Sequence, residues 1–208
     1  MRILICDDHK IVRDGLKRII EQYNEAYLID EASNGKEVFK KFEKERYNLL
    51  LLDISLPDQN GLDILQSIKQ KWPATHVLML SMYPQEQYAI RALSFGASGY
   101  LTKDTAAEEL LLAIRKIAEN GKYISQSLAD CLALSINTDS HQAKHEKLSE
   151  REFNIMIRIA NGKSLKEIGI ELFISNKTVS TYRSRIMEKM KLGKNSDLTR
   201  YCIDNLLI

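Results

Sequence analysis

The sequence predicts an α/β domain with a doubly wound parallel sheet, followed by a smaller all-helical domain. Short apolar runs alternate with amphipathic stretches in the first part, and the continuous runs 3–6 and 49–52 lead directly into aspartates. Such runs are typical of strands covered on both faces, as in parallel sheets. In the last third, serine-capped helical segments follow one another without strands. The 208 residues suffice for two domains.

Five strands and five helices are predicted to alternate through residues 1–121, which we assign to the first domain. This alternation predicts right-handed crossovers that place helices on both faces of the sheet. The last helix is expected to stop at Asn120-Gly121, a good C-terminal signal. The strands lie near 2–6, 27–31, 48–53, 76–81 and 98–102, and the helices near 10–22, 34–45, 60–71, 84–95 and 105–119.

The segment 122–146 is interpreted as an interdomain linker. A short helix is predicted from Ser127 to Leu134, but residues 137–145 are polar and lack the apolar content needed for packing. His141 and His145 have helical spacing. With no carboxylate or cysteine at a ligand spacing, they are expected to be solvated linker residues rather than metal ligands.

The second domain, 147–208, is predicted to contain four helices. A serine opens each of the first three, and in the first two a glutamate follows three residues later, which is the capping-box pattern. Two helices joined by a tight turn, the second of them basic, indicate a helix-turn-helix DNA reader. The helices are expected from Ser149 to Asn161, from Ser164 to about Leu172, from Ser175 onward, and from Asn195 or Ser196 to Asn205.

Charge divides the chain more sharply than its net +2 suggests. Residues 1–143 hold 17 Lys and Arg against 20 Asp and Glu, whereas residues 144–208 hold 13 against 8. A basic C-terminal part favours a nucleic-acid-binding module joined to a domain with another task. The chain has no apolar stretch of about eighteen residues and no signal-peptide pattern at its start, so we expect a cytoplasmic protein without a membrane anchor.

The carboxylates at the strand ends are the strongest indication of chemistry. Asp7 and Asp8 follow the first strand and Asp53 ends the third, and parallel strands gather such residues at one edge of the sheet. Three close carboxylates repel one another and need a cation. An oxygen-only cluster, with no His or Cys ligand expected nearby, fits Mg²⁺ better than zinc.

Two further strand ends complete this predicted site. Ser81 ends the fourth strand, and Lys103 follows the fifth. A lysine is suited to a phosphoryl oxygen or a carboxylate, and a serine hydroxyl can donate to another such oxygen. Acids, a metal, a hydroxyl and a cation match what phosphoryl transfer onto a carboxylate requires, with one aspartate as nucleophile.

With these residues in this order, the first domain resembles the receiver domain of two-component response regulators. The run Asp53 to Gly61 resembles that family's Asp-x-x-x-Pro-x-x-x-Gly loop. The resemblance implies a flavodoxin-like strand order of 2-1-3-4-5. It also implies roles for the site residues: Asp53 as phosphoacceptor, Asp7, Asp8, Asp53 and the backbone carbonyl of Ser55 as Mg²⁺ ligands, Ser81 and Tyr100 as the switch pair, and Lys103 as the site lysine.

The segment 148–190 resembles the LuxR-type DNA-binding domain, so the whole chain is similar to a NarL/FixJ-type response regulator. The 3-4 spacing of Val179, Ile186 and Met190 predicts the core face of the third helix. The resemblance implies base-facing roles for Ser180, Thr181 and Ser184. It implies phosphate contacts for Lys163, Lys177, Thr178, Arg183 and Arg185.

Two departures from the family's pattern have structural consequences. Gly169 stands where alanine is usual and is expected to weaken its helix by up to about 1 kcal/mol. Asp104 follows Lys103 where many receivers have proline. Because a cis bond without proline costs roughly 3 kcal/mol, the geometry of the Lys103–Asp104 peptide is left open.

The function implied is a phosphorylation-controlled transcription factor that binds Mg²⁺ and catalyses only its own phosphorylation and dephosphorylation. Expected partners are a sensor histidine kinase, double-stranded DNA with inverted half-sites, a second copy of the chain after phosphorylation and, as a further candidate, RNA polymerase. Two alternatives stay open. One is an aspartyl phosphotransferase acting on a small substrate. It is disfavoured because Ser55, not a second carboxylate, stands two residues after Asp53. The other is a phosphorylation-independent DNA-binding regulator that uses the receiver only for dimerisation.

Overall fold

The computed structural model describes residues 1–82, 85–126, 128–130, 144–205 and 207–208. The chain divides into two compact units, Met1–Asn137 and Thr138–Ile208. Most of the linker predicted at 122–146 lies outside the described residues, so its limits and the domain boundaries remain predictions. In the described part of the chain, no helix is long and apolar enough to cross a membrane.

The first unit is built on a five-stranded parallel sheet in the order β2-β1-β3-β4-β5, which confirms the predicted order. Each predicted strand is present to within about one residue. The strands are β1 (Arg2–Cys6), β2 (Leu28–Ala32), β3 (Leu49–Asp53), β4 (His76–Ser81) and β5 (Gly99–Thr102). The helices between and after them are α1 (Lys10–Tyr23), α2 (Gly35–Lys44), α3 (Gly61–Lys71), α4 (Gln85–Ser94) and α5 (Ala106–Asn120).

The core explains why the central strands are continuously apolar. Side chains of β1, β3 and β4 alternate between the two faces of the sheet, and helices cover both faces. On one face Ile3, Leu51 and Leu80 pack with Leu16 of α1 and Leu110 of α5. Strand β2 is less buried, since it lies at the edge of the sheet, and its sequence is correspondingly polar.

The chain leaving α5 stays attached to the first unit. The Tyr123 ring is buried in the same core, its N–H donates to the Ser98 carbonyl at 2.7 Å, and its hydroxyl donates to the Glu109 carboxylate at 2.6 Å. Residues 128–130 are helical and Leu128 is buried. The remainder of the predicted helix Ser127–Leu134 lies outside the described residues. The first part of the predicted linker therefore packs on the first unit.

The second unit is helical, as the sequence predicts. Its helices are α6 (Glu150–Ala160), α7 (Leu165–Glu171), α8 (Asn176–Met190) and α9 (Asn195–Asp204), preceded by a 3-10 turn at Lys144–Lys147. Capping boxes open α6 and α7, and the Ser175 side chain accepts from the Thr178 N–H at the start of α8. These caps satisfy backbone donors that the first turn of a helix leaves without partners.

His145 does not behave as the solvated linker residue that the sequence suggests. Its ring Nδ1 lies 2.9 Å from the Tyr201 hydroxyl, and its ring centroid lies 5.8 Å from that of Phe153. The expectation for His145 is therefore wrong, because aromatic neighbours on α6 and α9 offer it a partly buried place that local polarity cannot indicate. His141 lies outside the described residues.

Gly169 is required by a close approach of the chain. A Cβ at this position would lie 2.8 Å from the Ile174 carbonyl oxygen, which belongs to the turn between α7 and α8. The helix therefore loses some intrinsic stability at Gly169, but the turn can pack directly against it. The residue before Ile174, Phe173, holds a left-handed conformation with φ of 52° and is 87% exposed.

Alanine scanning at two helical glycines tests this interpretation. Gly169→Ala should fail to gain the roughly 1 kcal/mol that helix propensity alone predicts, and should destabilise the second unit, because the added methyl group meets backbone. The control is Gly15→Ala in α1, where a Cβ meets nothing within 4 Å and a gain of about 0.5–1 kcal/mol is expected for the first unit. Urea unfolding of both variants measures these changes. Equal stabilisation by the two substitutions would contradict the close approach at Gly169.

Candidate functional site

The carboxyl ends of four parallel strands lie side by side along one end of the sheet, called below the carboxyl edge. Asp7 directly follows β1, Asp53 ends β3, Ser81 ends β4, and Lys103 follows β5. The parallel register fixes their neighbourhood, since Cys6 pairs with Leu52 on the adjacent strand and Asp53 pairs with Leu80. The predicted gathering of these groups is therefore a direct result of the sheet topology.

Lys103 is the cation between two buried acids. Its Nζ lies 2.6 Å from Asp7 Oδ2 and 2.9 Å from Asp53 Oδ2, and its side chain is only 11% exposed. Burial opposes the lysine charge, but the two carboxylates outweigh it and raise the pKa of Lys103 above its ordinary value. Burial also raises the pKa of Asp53, although Lys103 opposes that rise. The arrangement holds a desolvated carboxylate beside a fixed positive charge.

Asp8 and His9 form the exposed rim of this site. The Asp8 side chain is 32% exposed, and the His9 Nδ1 lies 2.7 Å from Asp8 Oδ1 and 3.3 Å from Asp7 Oδ1. The expectation that no histidine lies near the acids is wrong. His9 precedes α1, and its backbone N–H donates to Asp7 Oδ1 at 2.9 Å, which brings its ring to the carboxylates.

The donor set of the carboxyl edge suits a divalent cation. Ligand atoms of Asp7, Asp8 and His9 all lie within 4.8 Å of one another. The acidic pair supplies the oxygen ligands that Mg²⁺ prefers, whereas the imidazole nitrogen adds a ligand better suited to transition metals. Ser55 lies in the loop after β3, where its backbone N–H opposes the rise in the pKa of Asp53 and its backbone pairs with Asn60.

The loop from Asp53 to Gly61 is folded tightly against the acid that precedes it. A Cβ on Gly61 would lie 2.1 Å from the Asp53 carbonyl oxygen, and the Gly61 N–H donates to the Ile54 carbonyl at 2.8 Å. Farther along the loop, Asp58 accepts from the N–H groups of Gly35 and Lys36 at 2.9 and 3.1 Å. The loop is thereby fixed at both α2 and α3. Only glycine fits at position 61, because any Cβ there would overlap the Asp53 carbonyl oxygen.

The two predicted switch residues lie in the interior. Ser81 and Tyr100 are both fully buried, on the neighbouring strands β4 and β5. The Lys103 N–H donates to the Ser81 carbonyl at 2.8 Å, which ties the lysine to the end of β4. Among the described residues no peptide bond is cis, so the Lys103–Asp104 peptide is trans.

In the second unit, α8 separates a core face from a polar face. Val179, Ile186 and Met190 are fully buried, as the sequence predicts. The residues assigned to DNA contact are exposed on the rest of the helix or near it, with Arg183 half-buried. They are Lys163, Lys177, Thr178, Ser180, Thr181, Arg183, Ser184 and Arg185.

Several of these polar side chains are held by their own domain. Lys163 is paired with Glu171 at 2.5 Å, and Arg183 Nε donates to Asn195 Oδ1 at 2.8 Å. The Thr178 hydroxyl lies 2.8 Å from the Ser175 hydroxyl at the helix cap. Such contacts restrict the rotamers of these side chains.

A shallow groove on the polar face contains a residue that the sequence analysis does not assign. Its lining consists of Leu165, Asn176, Lys177, Ser180, Thr181 and Ser184. Asn176 is the first residue of α8, and the sequence analysis treats that position only as part of the helix start. The signal that identifies it is spacing, since Asn176, Ser180 and Ser184 are four residues apart and share a helix face.

Comparison with known proteins assigns both halves of the chain. Residues 3–115 match the family described as response regulator receiver domain, and residues 146–202 match bacterial regulatory proteins of the luxR family. The oxygen regulatory protein NreC of Staphylococcus aureus is 34% identical and covers 100% of this chain and 99% of its own length. The chain belongs to the two-component response regulators. Its C-terminal domain is a DNA-binding LuxR-type helix-turn-helix. The protein as a whole is a transcription regulator rather than an enzyme.

Solved structures show the same architecture as this response regulator. A LuxR-family response regulator from Aurantimonas sp. SI85-9A1 is 31% identical, covers 65% of this chain and 96% of its own, and aligns with a TM-score of 0.59. RcsB from Salmonella enterica serovar Typhimurium, bound to a promoter in the presence of the phosphomimetic BeF3⁻, is 24% identical, covers 97% of both chains and aligns with a TM-score of 0.67. The likeness to RcsB shows the fold.

One ion pair fixes α8 against α6 in this response regulator. Lys189 on α8 lies 2.6 Å from the Glu152 Oε2 on α6, and the same oxygen accepts the Ser149 N–H. Burial works against ionisation of Glu152, but Lys189 and Ser149 outweigh it and hold the pKa of this carboxyl below its ordinary value. The pair thereby connects the start of α6 to the end of α8.

Glu152→Gln should destabilise the second unit of this response regulator by about 1 kcal/mol at neutral pH, since Lys189 is partly exposed and the pair is screened. A depressed carboxyl pKa contributes stability above the unfolded pKa, and that contribution is lost as the pH falls through the folded pKa. The difference between wild type and variant should therefore disappear on acidification. Urea unfolding at pH 7 and below pH 4 measures it. A difference independent of pH would show that the ion pair is not its cause.

Proposed function

We propose that Asp53 accepts a phosphoryl group from a sensor histidine kinase and that this modification controls DNA binding by the second domain. The observation that carries the proposal is the Lys103 ammonium between Asp7 and Asp53 at the carboxyl edge of the sheet. An oxygen of the Asp53 carboxylate forms the new bond to phosphorus, and the bond from phosphorus to the kinase imidazole nitrogen breaks. Lys103 is positioned to stabilise the negative charge on the transferring group.

Mg²⁺ is the cation we assign to the acidic site, with Asp7, Asp8, Asp53 and the backbone carbonyl of Ser55 as ligands. When bound, it would neutralise charge on the phosphoryl oxygens. The chain's own residues have separate tasks: Lys103 orients the Asp53 carboxylate, and the close packing of Gly61 fixes the loop around it. His9 competes for Asp8, because its Nδ1 already lies 2.7 Å from that carboxylate.

Replacing the nucleophile tests the phosphoryl transfer. Asp53→Asn keeps the shape of the side chain but removes the attacking oxygen, so labelling by acetyl phosphate with Mg²⁺ should disappear while the protein stays folded. Asp8→Ala should also abolish labelling, and excess chelator should do the same to the wild type. Asp14→Asn, at an exposed position on α1, is the matched control and should label normally.

Labelling of Asp53→Asn at the wild-type stoichiometry would exclude Asp53 as acceptor. Full labelling in chelator would exclude the metal. If wild-type protein takes up no phosphoryl group, the phosphorylation-independent regulator becomes the better account.

The output of phosphorylation is dimerisation. Added charge beside Lys103 and new acceptors near Ser81 favour one arrangement of Ser81 and Tyr100 over another, which is the requirement for a switch. The structure of two RcsB dimers on two parallel DNAs supports a dimer as the DNA-binding form. Inverted half-sites follow from two-fold symmetry. Sedimentation with and without beryllofluoride measures the change, and the same association constant in both would exclude dimerisation as output. The expected partners, a histidine kinase and RNA polymerase, support a cytoplasmic location.

Helix α8 is the recognition helix of this proposal. Ser180, Thr181 and Ser184 face the bases, whereas Lys163, Lys177, Thr178, Arg183 and Arg185 contact phosphates. The support is the exposed polar face opposite the buried Val179, Ile186 and Met190. Phosphate contacts supply affinity that depends on salt, and base contacts supply sequence preference.

Two substitutions on α8 should differ in kind. Arg183→Ala should weaken binding to all duplexes alike and flatten the salt dependence by about one unit of slope. Thr181→Ala should cost about 1–3 kcal/mol on the preferred duplex and leave nonspecific binding nearly unchanged. The control Arg115→Ala, an exposed arginine on α5, should alter neither.

Titrations on preferred and scrambled duplexes at several salt concentrations measure these effects. Equal losses on both duplexes for Thr181→Ala would contradict its base-facing role. Binding that is insensitive to both α8 substitutions would exclude α8 from the groove.

A further inference from the structure

The groove on α8 raises the question of which of its side chains can read a base edge. A base-reading side chain must offer hydrogen-bond donors or acceptors outward, and purines present an acceptor at N7 in the major groove. In this groove the Thr181 hydroxyl donates to the Lys177 carbonyl at 3.0 Å, and the Ser184 hydroxyl donates to the Ser180 carbonyl at 3.2 Å. Each hydroxyl has used its hydrogen within the helix and keeps only acceptor lone pairs.

Asn176 has the opposite property. Its side chain is exposed, and within the described part of the chain its amide makes no hydrogen bond. An amide carries two donors and an acceptor side by side. Among the described residues that line the groove, Asn176 is the one with such a group.

The position of Asn176 also suits base contact. The N-terminal residues of a recognition helix contact base edges in helix-turn-helix complexes, and Asn176 is the first residue of α8. Asn176, Ser180 and Ser184 share one face and span about 12 Å at 1.5 Å per residue. That length corresponds to roughly three to four base pairs at 3.4 Å each.

We propose that Asn176 reads an adenine in each half-site, its Nδ2–H donating to adenine N7 and its Oδ1 accepting from the adenine N6 amino group. An amide matches this pair of groups, whereas guanine offers two acceptors to the same side chain. The inference rests on the proposed use of α8 as the recognition helix and deepens it by assigning both the residue and the base. Asn176 is thus a determinant of specificity beside Ser180, Thr181 and Ser184.

Selection from a duplex library tests the proposal. The full-length protein with beryllofluoride is used to enrich sequences from random duplexes, in parallel with Asn176→Ala and with Lys177→Ala as the control for a phosphate contact. The wild type should enrich one adenine position per half-site that Asn176→Ala no longer enriches. Lys177→Ala should bind all duplexes more weakly while keeping the same enriched sequence.

A single-atom change in the DNA then identifies the contact. In the enriched duplex, 7-deazaadenine at that position removes the N7 acceptor. Wild-type affinity should fall about tenfold, which lies within the range for a good base contact, whereas Asn176→Ala, already weaker, should not respond further. Asn176→Gln, which keeps the amide, should restore part of the preference. Affinity of both Asn176 variants for scrambled DNA equal to that of the wild type shows that they are folded.

The outcomes distinguish the role of Asn176 from the proposed use of α8 as the recognition helix. An unchanged adenine preference in Asn176→Ala, or an equal response of wild type and variant to 7-deazaadenine, overturns the role of Asn176 while leaving α8 as the recognition helix. If the wild-type protein enriches no sequence from the library, both sequence-specific binding and the role of Asn176 are overturned.

Discussion

The receiver domain depends on one electrostatic constraint: two carboxylates are buried at the carboxyl edge of its sheet, and they can coexist only with a cation between them. Asp7 and Asp53 are both almost fully covered, and Lys103 reaches both. Removing one partner of such a buried arrangement leaves an uncompensated charge, which is far more costly than losing an exposed ion pair. The strand order and the tie between Lys103 N–H and the Ser81 carbonyl both serve to hold that cation in place.

The DNA-binding domain solves a different problem, which is to fix a helix while leaving one of its faces open. Buried Val179 and Ile186 set the rotation of α8 about its axis, and the Lys189–Glu152 pair fixes its far end. The polar groove residues of α8 lie on its exposed face. Their chemistry is set by whether a hydroxyl is used within the helix or an amide is left outward, which separates Thr181 from Asn176.

The sequence predicts the parts of this molecule that follow from periodicity and topology. Buried strands in parallel order bring Asp7, Asp53 and Lys103 to the carboxyl edge, so their meeting is foreseeable from the strand ends alone. Features that depend on tertiary neighbours are not. Tyr123 and His145 stand in polar surroundings along the chain, and their burial depends on residues far away in sequence.

His9 and Gly169 show how packing decides the use of a residue that the sequence displays. His9 directly follows the acidic pair, but its ring orientation depends on the hydrogen bond from its own N–H to Asp7. Gly169 lowers the intrinsic stability of its helix, but the absence of a Cβ lets the carbonyl of Ile174 in the following turn pack against it. Residue type predicts the chemistry available at a position, and only packing decides how that chemistry is used.

The attachment of Tyr123 has a mechanical consequence for signalling. Strand β5 carries Tyr100, and the carbonyl of Ser98 just before this strand accepts the Tyr123 N–H. The side chain of Tyr123 is held in turn by Glu109 on α5. A displacement at the start of β5 would therefore act on Tyr123 through this backbone hydrogen bond. Strand β5 and the segment at Tyr123 are thus joined by a backbone hydrogen bond and by a buried aromatic ring, so a change at Tyr100 can reach the chain that follows α5.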